Sequence, residues 1–237
     1  MSVGYNPKII TNGLVLCLDA ANIKSYLGSG ATWNDLSGTN NTGSLVNSPT
    51  FSSSNLGYFS FNGTTQYASV PYSSTLDFAT ALTVSLWFYS GTNYNNTAQT
   101  AVYLKGRTDV DNYAPLFHVN GAYAWGVQAA STMATYDQPA NYILSNTWYN
   151  LVVSHTSGSN PNIYRNAELS TGHTYGLGNG TYPLITNLNP LSINADVPRG
   201  AIGPFNGRIA AIHAYNRELS AAEVLQNFNA LRGRFNI

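Results

Sequence analysis

Charge is what this chain has least of. Charged side chains make up only 8% of the 237 residues, about a third of the share in an average soluble protein, and ten Lys and Arg balance ten Asp and Glu. A chain without net charge has no basic field to hold phosphates or anionic lipid, so neither nucleic acid nor a membrane is an expected partner. Its surface must be covered by neutral Asn, Ser, Thr and Gly, and the lack of colloidal repulsion favours life in an assembly, so a homo-oligomer is expected. Cysteine is nearly absent too. Cys17 stands alone, which excludes an intrachain disulfide, and its place in the apolar run Leu14 to Leu18 makes it a small core residue rather than a reactive thiol. No apolar run reaches transmembrane length, and Met1 to Gly13, with Asn6, Pro7 and Lys8, lacks the apolar stretch of an export signal. The sequons at Asn40, Asn62, Asn95 and Asn179 therefore read as Asn-rich turns.

Catalytic constellations are missing as well. Glycoside hydrolysis needs two carboxylates flanking the scissile bond. Of the three glutamates, Glu223 reads as a helix cap, Glu218 lies in the turn before it and Glu168 stands apart. Asp109 and Asp111 are two residues apart, but Asn112, Tyr113 and Pro115 make their stretch a loop, and three oxygen-bearing side chains are too few for calcium, which takes six to eight ligands. His118, His155, His173 and His213 have no metal-ligand spacing, and Gly176 to Gly180 lacks the Lys and following helix of a phosphate cradle. No catalytic residue, metal or cofactor is expected.

What is present is a series of short apolar runs between turn signals. Leu14 to Leu18, Tyr58 to Phe61, Gln66 to Val70, Thr83 to Tyr89, Ala101 to Leu104, Leu116 to Val119, Tyr123 to Val127, Trp148 to His155, Asn162 to Arg165, Leu191 to Ala195 and Gly207 to Tyr215 all have strand length. Asn62-Gly63 and Asn120-Gly121 suit tight hairpins. In Thr83 to Tyr89, Val84, Leu86 and Phe88 share one face and Ser85, Trp87 and Tyr89 the other, so both faces of that strand are expected to be covered. At the C-terminus Ser220 and Glu223 have capping-box spacing, Val224, Leu225, Phe228 and Leu231 form an apolar stripe, and Gly233 supplies a stop. The pattern predicts an all-β chain: a two-sheet antiparallel β-sandwich, or jelly roll, with one short C-terminal helix. No linker divides it, so residues 13–237 read as one domain preceded by an N-terminal arm, 1–12, expected to lie extended against neighbouring proteins.

Tyrosine, at 17 residues, outnumbers every charged type. Sugars stack their C–H faces on aromatic rings while their hydroxyls bond Asn, Asp and backbone groups. Asp109, Asp111, Asn112, Tyr113, Tyr123 and Trp125, with Tyr136 nearby, are the candidate carbohydrate-binding set. The alternative for each aromatic is core or inter-subunit packing.

Several segments in order resemble the laminin-G-like branch of the concanavalin A-like lectin and glucanase superfamily, as found in bacteriophage proteins. They are Gly13 to Leu16 with Leu18 to Asn22, GATWNDLSG at Gly30 to Gly38, YFSFNGTTQY at Tyr58 to Tyr67, Leu82 to Phe88, Trp148 to Val153, and FNGRIAAIHAYNRELSAAE at Phe205 to Glu223. The resemblance implies a concanavalin A-like sandwich with the first and last strands adjacent. Where the family often carries an acidic residue after the Ile of its last strand, this chain has Ala210 and Ala211, which suggests a surface adapted to packing. A surface suited to the exterior on a chain with no export signal fits a protein made in the host cytoplasm and released by lysis. The resulting expectation is a non-enzymatic bacteriophage virion protein, a capsid decoration or cement or a tail-attached protein, adhering to neighbouring virion proteins. A carbohydrate-binding module adhering to host or environmental glycans is the alternative.

Overall fold

The strand Ala81–Ser90 shows how the sequence builds the fold. Leu82, Val84, Leu86 and Phe88 turn to one side and are fully buried between two sheets, whereas Thr83, Ser85, Trp87 and Tyr89 turn to the other. In the computed structural model the described residues are 7–91, 100–105, 107–108, 112–113, 116–120, 122–129, 132–137, 143–171, 174–175, 184, 186, 188–195 and 206–237, with those between 100 and 137 and 174–175 described by backbone alone.

Among the described residues the first sheet has eight strands. Seven follow in the order Glu168–Leu169, Asn162–Arg165, Thr147–Thr156, Ala81–Ser90, Asn206–Tyr215, Tyr58–Asn62 and Thr50–Ser52. The eighth, Leu14–Asp19, continues the line of Tyr58–Asn62 by pairing with the second half of Asn206–Tyr215, so the first and last long strands are neighbours. The second sheet has nine, in the order Thr174–Tyr175, Thr132–Asp137, Ala122–Ala129, Leu116–Asn120, Thr100–Lys105, Leu191–Ile193, Tyr67–Val70, Gly43–Val46 and Thr32–Trp33. Pairing is antiparallel in both, and the fold is a two-sheet sandwich with one short C-terminal helix. Between the sheets Tyr26, Trp33 and Phe51 crowd round Phe59, with ring centroids 4.7 to 5.7 Å away. Each such pair adds about 0.5–1.5 kcal/mol beyond the area it buries.

Local signals were met unequally. Asn120 and Ala122 pair across the expected Asn120-Gly121 hairpin, with Gly121 itself outside the described residues. Asn62-Gly63 does not make a hairpin: Tyr58–Asn62 belongs to the first sheet and Tyr67–Val70 to the second. The Asn62 Oδ1 accepts the N–H groups of Thr64, Thr65 and Gln66, an Asx turn that carries the chain round the sandwich edge instead. The helix Ala221–Leu231 opens with the expected capping box. Val224 and Phe228 are buried, but Leu225 is 48% exposed, and the buried polar partner on the stripe is Asn227. Positions 224, 227, 228 and 231 share one helical face, while 225 lies about 100° round from 224. Gly233 is not the stop. The helix ends at Leu231, and Gly233 sits inside the 3-10 turn Arg232–Arg234.

Of the segment 1–12 read as an arm, residues 7–12 are described, and they lie along their own helix. Ile10 N–H donates to Asn227 Oδ1 at 2.7 Å, Gln226 donates to Lys8 O at 2.8 Å and the Tyr215 hydroxyl donates to Ile10 O at 3.0 Å.

Candidate functional site

The outer face of the first sheet is covered unequally along its strands. The helix and the C-terminal tail lie over its middle, where Trp87 stacks on Phe228 at 5.6 Å and on Phe235 at 4.5 Å. Ala210 and Ala211 are fully buried in this same cluster, which accounts for small uncharged residues at those two positions. Beyond Phe235 neither helix nor tail lines the face among the described residues. One row of cross-strand neighbours, Trp148, Tyr89, Arg208 and Ser60, crosses the face there on four adjacent strands.

Tyr89, Arg208 and Ser60 of this row line an open groove of about 300 Å³, with Asn146, Asn206 and backbone from Gly91 and Gly207. That volume is at the lower end of small-molecule sites, about 300–1,000 Å³. Arg208 stands between strands that carry an aromatic on each flank, and its guanidinium carbon lies 4.4 Å from the Tyr89 ring centre and 4.9 Å from that of Tyr58. Tyr58 is itself braced by Trp148 at 5.7 Å, and Trp148 by Phe235 at 4.6 Å. The Tyr89 hydroxyl donates to Asn146 Oδ1 at 3.2 Å, and Asn146 N–H donates to Ser90 O at 2.7 Å, which ties the approaching loop to the strand end. Asn146 has φ 58°, a left-handed conformation that Asn tolerates better than most residues. At Gly91 a Cβ would come within 2.9 Å of Asn206 O, so the groove floor needs a residue without one.

Arg208 takes no hydrogen-bond acceptor and no carboxylate partner from the described residues, whereas Arg217 and Arg234 are paired. Arg217 meets Glu223 at 2.6 Å and Arg234 meets Asp19 at 3.0 Å. Arg217, with the Ser220 N–H, holds the Glu223 carboxyl down at about 2. Glu218 accepts from Thr156 and from Asn162, and Asp35 accepts from Cys17 N–H, Ser37 and Asn41 N–H. These carboxylates are engaged in holding loops, and no acidic side chain lines the groove among the described residues. Among the described residues no three His, Cys, Asp or Glu side chains cluster as a metal site.

A second cleft, of about 410 Å³, lies between residues 7–11, the first strand and the helix, and includes Cys17, Asp19, Leu36 and His213. Cys17 and His213 are paired across the first and last strands. Burial, helped by Asp19 and Asp35, pushes the Cys17 thiol up to about 12, so it stays protonated and unreactive. Burial likewise holds His213 down at about 4, with Asp19 opposing and Arg234 reinforcing that shift, and its Nδ1 is buried without a partner. His155 is buried with a ring nitrogen 2.9 Å from Ser159 O, a structural role.

Of the residues singled out from sequence, Asp109 and Asp111 lie outside the described residues, as does His173. Asn112 and Tyr113 form a two-residue strand paired with Thr108 and Arg107. Tyr123 and Trp125 sit two apart on Ala122–Ala129, opposite Val119 and Phe117, and the Asn112–Tyr113 strand approaches that strand within 8 Å between Cα atoms. The backbone thus brings these four positions close together, Tyr123 and Trp125 on the second sheet and Asn112 and Tyr113 on a separate two-stranded sheet beside it. Sequence reasoning missed Tyr89, Asn146, Asn206 and Arg208. Arg208 opens an otherwise apolar strand and shares outward parity with Tyr89, but which end of the face the helix leaves bare is a tertiary fact.

The two stacked antiparallel sheets define a lectin-type jelly roll. Residues 62–225 match the laminin G family described as the concanavalin A-like lectin/glucanases superfamily, and the chain belongs to that family. No curated protein matches it significantly. Among solved structures it is similar to the binding domain of Paraclostridial Mosquitocidal Protein 1, at 16% identity and TM-score 0.71 over 93% of this chain and 52% of that one. The binding domain of botulinum neurotoxin DC in complex with SialylT gives 12% identity and TM-score 0.70 over 93% and 52%. A Trypanosoma rangeli sialidase in complex with sialic acid gives 15% and 0.66 over 95% and 34%. The chain spans about half the length of the two toxin domains and a third of the sialidase. At such identities the likeness is one of fold.

Proposed function

We propose that this chain is a non-catalytic adhesion module that binds glycans in the groove at the uncovered end of its first sheet. The observation that carries this reading is the lining itself: a hydroxyl from Ser60, a phenol from Tyr89, carboxamides from Asn146 and Asn206 and the Arg208 guanidinium converge on one open cleft with no acidic side chain among the described residues. Hydroxyls and amides match the donor and acceptor pattern of sugar hydroxyls, and a cleft without a carboxylate pair has no acid and base for glycosidic cleavage. Membership of a superfamily of lectins and glucanases supports binding as the shared capacity. Proteins of the same fold crystallised with SialylT and with sialic acid support it as well. A glycan array followed by NMR titration tests the reading. Hits should shift the backbone amides of Asn146, Asn206 and Arg208, and an array without hits overturns it.

A second reading is adhesion to protein neighbours, as in the decoration of a bacteriophage head or tail. One observation favours it. Ile23, Leu27 and Leu56 are 64%, 71% and 64% exposed, and the two loops that carry them abut, since a Cβ at Gly57 would come within 2.7 Å of Ala20 O. Exposed apolar side chains gathered on touching loops suit burial against another protein. Mass spectrometry of purified particles would find the chain in many copies on this reading, and its absence from them removes it.

A further inference from the structure

We infer that the groove selects a sugar bearing a carboxylate, and that Arg208 is the residue that distinguishes it from a neutral sugar. The inference rests on the groove being the glycan site proposed above. Arg208 is a half-buried cation whose N–H groups have no acceptor among the described residues, while Arg217 and Arg234 are each committed to a carboxylate. Tyr89 and Tyr58 flank it at 4.4 and 4.9 Å, so its plane is held by ring faces and its N–H edge remains to meet a ligand. A guanidinium fixed in this way has lost its rotamer freedom before binding, and its planar fork fits a carboxylate through two parallel hydrogen bonds.

The surroundings narrow the ligand further. Ser60, Asn146 and Asn206 offer neutral hydrogen-bonding groups around that one cation, which fits a hydroxyl-rich ring with a single charge. A densely sulfated chain would need a basic field, and the net charge of this protein is +0. A small free carboxylate would leave most of the 300 Å³ groove to water. Carboxylated sugars come from two sources, sialic acids and uronic acids, and both present the same group to Arg208.

The test uses the full chain and two matched pairs of probes, 3′-sialyllactose with its methyl ester and trigalacturonic acid with its methyl ester. Binding is followed by NMR titration. The acid of at least one pair should bind at least tenfold more tightly than its neutral counterpart, and which pair does so identifies the source. Because each ester removes the charge while adding only a methyl group to the carboxyl, the comparison on the unaltered protein needs no variant. Arg208→Gln should then abolish the preference, so that the acid and neutral probes of a pair bind with similar affinity. Equal affinity for acid and neutral probes, with shifts at Asn146 and Asn206, would keep the groove as a glycan site and overturn the acid preference. A preference that survives in Arg208→Gln would assign it to another residue and also overturn the inference. No binding by any of the four probes overturns it too, and a glycan array then decides separately whether the groove reading survives.

Discussion

The outward side of the single strand Ala81–Ser90 passes from a covered region to an open one. At its start the Thr83 hydroxyl donates to Arg217 O at 2.9 Å, and Thr83 and Ser154, 3.0 Å apart, both accept the Leu219 N–H at 2.9 Å. Ser85 takes a hydrogen bond from the Asn150 carboxamide at 3.0 Å, and Trp87 lies under two phenylalanines. At its end Tyr89 and its cross-strand neighbour Arg208 face a groove. Pleat and residue type are alike at both ends. What differs is the lid: under the helix the hydroxyls of Thr83, Ser85 and Ser154 are matched inside the protein, and beyond it the Arg208 N–H groups meet no acceptor among the described residues. On the proposed function, stability and recognition are divided along one strand, which makes the division testable by substitution.

The largest effect is expected at the covered end. Trp87 is 1% exposed, so Trp87→Ala should leave a cavity between Phe228 and Phe235 and lower the stability by about 3–5 kcal/mol. Urea unfolding checks this, and a loss below ~1 kcal/mol would mean that the helix is a loose cover rather than part of the core.

Acid should act on the covered region next. Burial holds His213 at about 4 against its usual 6.5, so above pH 6.5 it is neutral in both folded and unfolded chains. As the pH falls from 6.5 towards 4, the unfolded chain takes up a proton that the folded one refuses, and stability should drop by about 3 kcal/mol. His155, also lowered by burial, acts in the same direction. Glu223, lowered from 4.5 to about 2 by Arg217, contributes stability that is lost as the pH falls below 4.5. Unfolding measured at pH 7 and pH 4.5 should therefore differ, and His213→Gln should flatten most of that difference. An unchanged slope in the variant would move the acid sensitivity away from the cleft beside residues 7–11.

The division also explains what could be read from sequence. Alternation in Ala81–Ser90 gave the two covered faces, and the Ser220–Glu223 spacing gave the helix start, because both depend on residues close in the chain. The adjacency of the first and last strands came from the family resemblance alone. Asn62-Gly63 misled because an Asn-Gly pair sets a turn but does not say whether the next strand stays in the same sheet. The groove was illegible for a related reason. Arg208, Tyr89, Ser60 and Asn146 come from four distant segments, and their shared property is that the helix ends its cover before reaching them.

Loosening the lid should have a smaller effect. Ser220→Ala removes the acceptor of the Glu223 N–H and should cost about 1 kcal/mol, seen as a modest fall in melting temperature. Hydrogen exchange should then rise in the helix and at the Trp87 indole but not at Tyr89. Equal loosening at both ends would mean that the groove depends on the helix for its shape.

A similarly small effect on folding is expected where the effect on recognition is greatest. Arg208 is half-buried, bound to its neighbours by two ring contacts at 4.4 and 4.9 Å and by no ion pair among the described residues. Cation–aromatic contacts at such exposure contribute about 0.5–1 kcal/mol each, so Arg208→Gln should keep the fold with a shift in melting temperature smaller than that of Trp87→Ala. Arg208→Lys separates two uses of the cation. Lysine keeps the charge over the rings but not the planar fork, so stability should be nearly restored while binding of a carboxylated sugar recovers only in part. If lysine restored binding fully, charge alone would be recognised, and the ring-held geometry would belong with the covered end of the strand, as packing.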